Sequence, residues 1–224
     1  MKSIIKNMIT FNFQRRLVIF YIFACLFCPL QANSALEDGV SLNHTIGKTP
    51  LVLTDVSRLN PINVATIYQP KTESELVSIV KLAKEQTKKI SISGSKHSQG
   101  GHIGYPDSLH INMSLFDEII SIDVERKVAA VQSGVTWEVL QQKLNKVGLA
   151  VKVMQSSGIF TVGGSLSVNC HGRDPRFGTI SETVESFRLL TADGKIISVS
   201  KKLTPDLFNA VIGGYGLFGI IVDV

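Results

Sequence analysis

The chain has 224 residues, 44% of them apolar, which is enough for one sizeable domain or two small ones with a buried core. Four of its 23 basic residues and none of its 18 acidic residues precede Ser34, so the remainder holds 19 basic against 18 acidic residues. A net charge of +1 in this remainder provides no electrostatic attraction for nucleic acid. The composition therefore predicts no nucleic-acid partner.

The first 34 residues have the order of an export signal. Four basic residues precede an apolar run at 17–30, and small or polar residues follow at 31–35. Fourteen apolar residues are few for a membrane span. We predict an export signal over residues 1–34 and an exported protein, periplasmic or secreted, with an uncleaved membrane anchor as the alternative. The pair Arg15-Arg16 also agrees in part with a twin-arginine signal.

The cysteines and histidines predict no metal site. Cys170 is the one cysteine outside the leader, so neither a disulfide framework nor a C-x-x-C site is expected in the mature chain. Metal ligands recur at recognisable spacings of His, Cys, Asp and Glu. Four histidines lack acidic or cysteine partners at such spacing: His97, His102, His110 and His171.

The first half of the mature chain predicts a strand–helix–strand unit. Residues 35–54 have no periodic pattern and are expected to be irregular, and 64–68 read as one strand before Pro70. Thr72 and Glu75 form a capping box for a helix with one apolar stripe. Alternating residues predict strands at 90–92 and 109–113. This unit should end near residue 113.

The second half is dominated by hairpin-linked strands. Strands are predicted at 119–124, 128–132 and 220–224, and a helix from Thr136 to about residue 147, closed by Gly148. Asp193-Gly194 lies between two apolar runs and predicts a hairpin, and Pro205 opens a short helix with Phe208. Few helices and many hairpins favour an α+β fold over a doubly wound sheet.

Two segments rich in glycine and serine are the strongest functional signal. The first glycine segment is residues 93–101, SGSKHSQGG, and it directly follows a predicted strand. The second glycine segment is residues 161–172, TVGGSLSVNCHG. Small residues let the backbone approach a ligand closely, and their N–H groups can form an anion-binding nest. We interpret both segments as loops that wrap one long phosphate-containing ligand, with a dinucleotide as the first candidate.

A third glycine motif is misleading. Residues 214–219, GYGLFG, match the dinucleotide fingerprint G-x-G-x-x-G, which needs a preceding strand, a following helix and a later acidic residue. Here a short helix precedes the motif and a strand follows it. The motif is therefore predicted to be a turn with close backbone packing.

Four motifs in order resemble the PCMH-type FAD-binding domain of the vanillyl-alcohol oxidase family. They are GSKHS (94–98), the second glycine segment, FRLLTADGKII (187–197) and GGYGLFGII (213–221). The resemblance covers about Asp55 to Val224 and is closest to sugar and alditol oxidases, aldonolactone oxidases and decaprenylphosphoryl-ribose oxidases. It implies two α+β subdomains, about 55–113 and 114–224, that hold an extended FAD between them.

The resemblance also implies which residues contact FAD. On the side of the pyrophosphate and nearby flavin it points to Gly94, Ser95, Lys96, His97 and Ser98. The second side would be lined by Ser156, Thr161, Gly163, Gly164, Val168, Asn169, Cys170 and His171, and Ile220 would lie near the adenine. Relatives with the GxxHS pattern attach the flavin covalently to this histidine, here His97. The decaprenylphosphoryl-ribose oxidases hold FAD without a bond, in which case His97 would only donate a hydrogen bond.

The implied activity is hydride transfer from a hydroxyl-bearing carbon of a sugar, alditol or lactone-type substrate to FAD, with reoxidation by oxygen or another acceptor. The catalytic residues of such oxidases lie largely in a second domain after the flavin domain, and we expect that substrate domain to be absent from this chain. The alternative is a truncated, non-catalytic FAD-binding module. An NADPH-dependent enzyme of peptidoglycan synthesis shares the fold but agrees poorly with an export signal.

Overall fold

The computed structural model describes residues 51–224, so the predicted export signal and most of the segment 35–54 lie outside the described part. The strands are β1 (Leu51–Leu53), β2 (Ile62–Val64), β3 (Thr66–Tyr68), β4 (Ile90–Ser93), β5 (Leu109–Asn112), β6 (Ile119–Asp123), β7 (Val128–Val131), β8 (Ser186–Leu190), β9 (Ile196–Ser200) and β10 (Ile220–Asp223). The helices are α1 (Glu73–Glu85), α2 (Trp137–Asn145), α3 (Val162–Ser167) and α4 (Pro205–Val211), with short 3₁₀ turns at Met113–Leu115 and Ile180–Thr183. The mixture confirms the α+β prediction.

A parallel sheet in the order β3-β5-β4 forms the first half, with helix α1 joining two of its strands. The capping box is present: Thr72 accepts a hydrogen bond from the backbone of Glu75, and the Glu75 side chain accepts from the backbone of Thr72. The stripe at i, i+3, i+4 and i+7 is buried, as its period predicts: Leu76, Ile79, Val80 and Ala83.

An antiparallel sheet in the order β10-β8-β9 forms the second half. The hairpin β6-β7 joins this sheet, because Val131 and Val224 exchange two backbone hydrogen bonds of 2.9 Å each. The amide of Ser133 continues this pairing by donating to the carbonyl of Val222 at 3.0 Å.

Strand β10 lies between two hydrophobic cores. Ile220 and Val222 belong to the core around α1 and the parallel sheet, whereas Ile221 belongs to the core around α2, α3 and α4. Successive side chains of a strand point to opposite faces, so one strand can serve both cores. The predicted subdomains at 55–113 and 114–224 therefore share core residues, since Leu190 also packs into the first core.

An ion-paired cluster ties the start of α1 to the second sheet. Arg188 on β8 donates to both carboxylate oxygens of Asp223 on β10, at 3.0 and 2.9 Å from Nε. The same guanidinium donates to Glu73 in the first turn of α1, at 2.6 and 3.2 Å. Asp223 is buried, so its charge needs such a partner.

The prediction of an irregular segment through residue 54 is wrong at its end. Residues Leu51–Leu53 form β1, which pairs antiparallel with β2, and the predicted single strand at 64–68 is two strands interrupted at Ala65. The interruption arises because β2 pairs with β1 whereas β3 pairs with β5. A third small core of Leu53, Val64 and Ile103 stabilises this hairpin.

The interpretation of the second glycine segment as a loop is also wrong in part. Residues Val162–Ser167 form helix α3, whose first turn is capped by the side chain of Thr161. Burial of Val162 and Leu166 anchors this helix despite its two glycines. Helix α2 begins after the predicted cap, Thr136, but ends at Asn145, two residues earlier than predicted.

None of the helices within residues 51–224 combines the length and the apolar character needed to cross a bilayer.

His110 on β5 is buried inside the parallel sheet, and serines occupy both of its ring nitrogens. Ser91 Oγ lies 2.9 Å from Nδ1, and Ser93 Oγ lies 2.9 Å from Nε2. Burial, assisted by the nearby charge of Lys96, lowers the pKa of His110 to about 4. The imidazole is therefore neutral at physiological pH.

We predict that the free energy of unfolding falls as the pH is lowered from 7 to 5. The unfolded histidine binds a proton near pH 6.5, well above its folded pKa, so the unfolded state takes up more protons in this window. The loss should be about 2 kcal/mol, measured by urea denaturation. The variant His110→Gln should lose clearly less over the same interval. An equal pH dependence in both proteins would contradict this account.

Candidate functional site

A cavity of about 90 Å³ lies where the two glycine segments meet the start of β10. Three parts of the chain line it. The first supplies Ile92, Ser93, Gly94, Ser98, His102, Ile103 and Met113, the second Ser133, Thr161, Gly163, Gly164, Ser167 and Val168, and the third Tyr215, Gly216, Gly219, Ile220 and Ile221. Ligand cavities usually measure about 300–1,000 Å³, so this one holds only part of a dinucleotide.

Half of the predicted contact residues line this cavity. They are Gly94, Ser98, Thr161, Gly163, Gly164, Val168 and Ile220. They come from three distant stretches of sequence, which the fold brings together at one place.

The two glycine segments touch each other directly. A Cβ atom on Gly94 would lie 2.1 Å from Thr161 Oγ1, so only glycine leaves room for that hydroxyl. Thr161 Oγ1 in turn accepts the amide hydrogen of Gly164 at 3.3 Å and thereby caps α3. Because Gly94 of the first glycine segment has no side chain, the Thr161 hydroxyl has room to cap helix α3 of the second.

The two glycines of α3 have different roles. A Cβ on Gly163 would lie 2.6 Å from Ser133 Cβ and 3.0 Å from the Ser133 carbonyl oxygen, so this glycine is required by packing. A Cβ on Gly164 would meet only Thr161 Oγ1, at 2.9 Å, and would otherwise face open space. Gly164 is therefore the position at which the backbone is bare toward the cavity.

The backbone N–H groups of the two segments also differ. In the second segment, Gly163 donates to the Ser133 carbonyl at 2.8 Å and Gly164 donates to Thr161, so these amides are already paired. Among the described residues, no acceptor is found for the amides of Ser95 to Ser98. An anion-binding nest therefore suits the first segment, whereas the amides of Gly163 and Gly164 are not free to form one.

The other predicted residues of the first segment lie beside the cavity. Ser95 is half-buried in the loop after β4, and Lys96 has a left-handed backbone (φ 59°) with its carbonyl accepting the amide of Val56 at 2.9 Å. The His97 ring packs edge-on against Phe160, with ring centroids 5.5 Å apart. His97 therefore reaches the residue that precedes Thr161.

Of the remaining predicted residues, Asn169 follows α3 with a left-handed backbone (φ 48°). Cys170 is buried in the second core, and burial raises the pKa of its thiol to about 11. His171 is exposed, with Nδ1 2.9 Å from the Gly172 carbonyl oxygen. Ser156 lines a second cavity, which includes Met154 and Gly172.

Asp55 supports the site in a way that the sequence interpretation missed. Its carboxylate accepts from Ser57 Oγ and from the amide of Gly101, at 2.5 and 2.8 Å, which fastens the end of the first glycine segment. These hydrogen bonds lower the pKa of Asp55 to about 2. The local pattern Asp-x-Ser is a turn signal, but its partner 46 residues away is not visible in sequence.

The turn at 214–219 also contributes to the cavity, which its sequence did not predict. Its prediction as a closely packed turn agrees with the structure, since a Cβ on Gly214 would lie 2.2 Å from the Ala210 carbonyl oxygen. The turn nevertheless supplies Tyr215, Gly216 and Gly219 to the cavity wall.

Three buried polar atoms around the site have no hydrogen-bond partner among the described residues. They are His97 Nδ1, Ser133 Oγ and Asn169 Oδ1. Buried polar atoms are normally paired, and unpaired ones cluster where a ligand completes them. Together with the bare backbone at Gly164, they fit a polar ligand that lies along both glycine segments.

Residues 64–200 match the family described as FAD binding domain. The chain belongs to the FAD-binding domains of the vanillyl-alcohol oxidase family. FAD is the cofactor of this domain.

Similar proteins include lactone oxidases and dehydrogenases. The chain is 30% identical over 156 residues to a putative D-arabinono-1,4-lactone oxidase of Neurospora crassa, which covers 70% of this chain and 28% of that protein. It is 29% identical over 157 residues to an L-gulonolactone oxidase of Mus musculus (70% and 36%) and 30% identical over 168 residues to a mitochondrial L-galactono-1,4-lactone dehydrogenase of Brassica oleracea (75% and 28%). This FAD-binding domain thus spans about a third of the length of these relatives.

We predict that substitution of Gly164 mainly weakens FAD binding, whereas substitution of the neighbouring Gly163 mainly lowers the stability of the protein. Gly164→Val should weaken FAD binding about 100-fold or more, because the new side chain enters the cavity, while the melting temperature of the FAD-free protein falls only modestly, because the new Cβ displaces only the Thr161 hydroxyl. Gly163→Ala should lower that melting temperature, because its Cβ collides with Ser133. Calorimetry and FAD titration of both variants test the assignment. Unchanged FAD affinity in Gly164→Val would mean that the cofactor does not lie against α3.

Proposed function

We propose that this chain is the FAD-binding part of an FAD-dependent oxidoreductase that oxidises a hydroxyl-bearing carbon of a sugar, alditol or lactone-type substrate. The observation that carries the proposal is the cavity built jointly by the two glycine segments and the start of β10. The lactone oxidases and dehydrogenases among the relatives support the substrate class.

The proposed arrangement is two subdomains with FAD along their junction. The two cores on either side of β10 support this division, and the cavity opens where the first and second glycine segments meet. When bound, FAD supplies the hydride acceptor and passes the electrons to oxygen or another acceptor. The residues of this chain would bind and orient the cofactor, whereas the groups that grip the substrate are expected in the remainder of a longer protein.

A non-catalytic FAD-binding module is the second candidate function. The described residues build the FAD-binding cavity, which is the part that such a module would need. Loss of the oxidised-flavin absorbance when an aldonolactone or alditol is added under anaerobic conditions would exclude the module. Flavin absorbance that stays unchanged with every substrate would support the module, whereas bleaching in a longer product of the same gene would support the oxidoreductase.

We predict that purified protein carries a yellow flavin chromophore or gains stability when FAD is added. FAD at 100 times its dissociation constant should raise the free energy of unfolding by about 2.7 kcal/mol, which a thermal-shift assay detects readily. AMP at the same concentration is a control for weak nucleotide binding. Folded protein without chromophore and without a thermal shift would contradict the proposal.

We further propose that the flavin is attached covalently to His97. The His97 ring is half-buried against Phe160, and its unpaired Nδ1 leaves one nitrogen without a competing protein partner. A bond from a ring nitrogen to the flavin 8α carbon would replace one N–H and one C–H bond. The two electrons and two protons released would pass through the flavin to oxygen, which would become hydrogen peroxide. Such a tether would prevent loss of FAD outside the cell.

If the flavin is bound covalently, we predict that it stays on the unmodified protein after acid precipitation. His97→Ala should release its flavin to the supernatant and show a lower flavin reduction potential, while still binding FAD. His171→Ala, which changes an exposed histidine, is the matched control and should retain its flavin after acid. If acid releases all of the flavin from the unmodified protein, His97 only donates a hydrogen bond to FAD.

A further inference from the structure

We propose that Tyr215 stacks on the adenine base of FAD at the mouth of the cavity and that His102 positions its ring. The inference rests on the proposed binding of FAD in this cavity. It assigns a role to an aromatic side chain that neither the sequence motifs nor the family resemblance singles out.

The position of Tyr215 is the first observation. Tyr215 and His102 both line the cavity, although they come from loops more than a hundred residues apart. Their ring centroids lie 5.8 Å apart, with a tilt of 55° between the planes, so the two rings meet across the cavity mouth. Tyr215 is 59% exposed, which leaves much of its surface available to a ligand.

The backbone at Tyr215 is the second observation. Tyr215 has φ 52°, in the left-handed region that side-chain-bearing residues rarely adopt, and its neighbour Gly216 has φ 77°. The Tyr215 amide donates to the Ser167 carbonyl at 3.0 Å, which fastens the turn to the end of α3. Glycine is the usual residue for this conformation, so a tyrosine here costs backbone strain. Such strain at a cavity indicates that the side chain has a function.

The chemistry of the adjacent wall favours a flat base. Ile92, Val168 and Ile220 supply apolar surface beside the tyrosine, and Gly216 and Gly219 keep the backbone close. Aromatic side chains bind nucleobases by stacking because every base has a π face. The adenine is the base that FAD offers, and the small cavity accommodates it more readily than the larger flavin ring system.

The experiment compares binding of FAD and ADP by titration calorimetry to four proteins that all carry His97→Ala and have been freed of flavin, so that no tethered cofactor fills the cavity. Tyr215→Ala should raise the dissociation constants of both ligands about tenfold, the loss expected for one base–aromatic stack. Tyr215→Phe should stay within about twofold of the protein with Tyr215 intact, because the ring remains. Tyr105→Ala is the matched control, since Tyr105 is similarly exposed (53%) but does not line the cavity, and it should bind both ligands normally.

A further variant separates stacking from folding. Tyr215→Gly removes the ring and also relieves the left-handed strain, so it should bind ADP as weakly as Tyr215→Ala without melting at a lower temperature when ligand-free. Unchanged affinity in Tyr215→Ala, or equal weakening in Tyr215→Phe, would overturn the stacking role while leaving FAD binding intact. A flavin-free His97→Ala protein with Tyr215 intact that binds neither ligand would overturn the proposed function and this inference together.

Discussion

Strand β10 is the constraint on which the rest of the molecule depends. Its alternating side chains reach two cores, with Ile220 and Val222 on one side and Ile221 on the other. Its backbone pairs with β8 and with the segment after β7. At its end, the Asp223 carboxylate accepts hydrogen bonds from the Arg188 guanidinium. Since both cores need this strand, its start has a fixed position relative to each of them. The cavity lies at that start, so the sheet holds this part of the cavity wall in place.

Glycine serves two separate purposes around the cavity. At Gly94 and Gly163 the missing side chain lets one part of the protein pack on another, against Thr161 and Ser133 respectively. At Gly164 the missing side chain leaves the backbone open toward the cavity. Glycine density in a sequence signals close approach, but only the tertiary structure distinguishes approach to protein from approach to cofactor.

The site is built at a cost to the stability of the free protein. His97 Nδ1, Ser133 Oγ and Asn169 Oδ1 are buried without partners, and each such atom costs about 1–3 kcal/mol relative to a paired one. Tyr215 and Lys96 add backbone strain within the same region. A bound cofactor that pairs these atoms returns part of that free energy, which couples folding to cofactor binding. Charge contributes little to this coupling, because residues 35–224 hold 19 basic against 18 acidic residues.

Local signals in the sequence determined the elements whose stability is local. The capping box of Thr72 and Glu75, the buried stripe of α1, the Thr136 cap and the Asp193-Gly194 hairpin all depend on residues within a few positions of each other, so they were predictable. The four motifs likewise predicted the family and its cofactor. Tertiary structure alone decided the break at Ala65, the helix α3 in place of a loop, and the contacts of Asp55 with Gly101 and of Tyr215 with His102. Each of these depends on partners that are distant along the chain, and no local preference encodes such a partner.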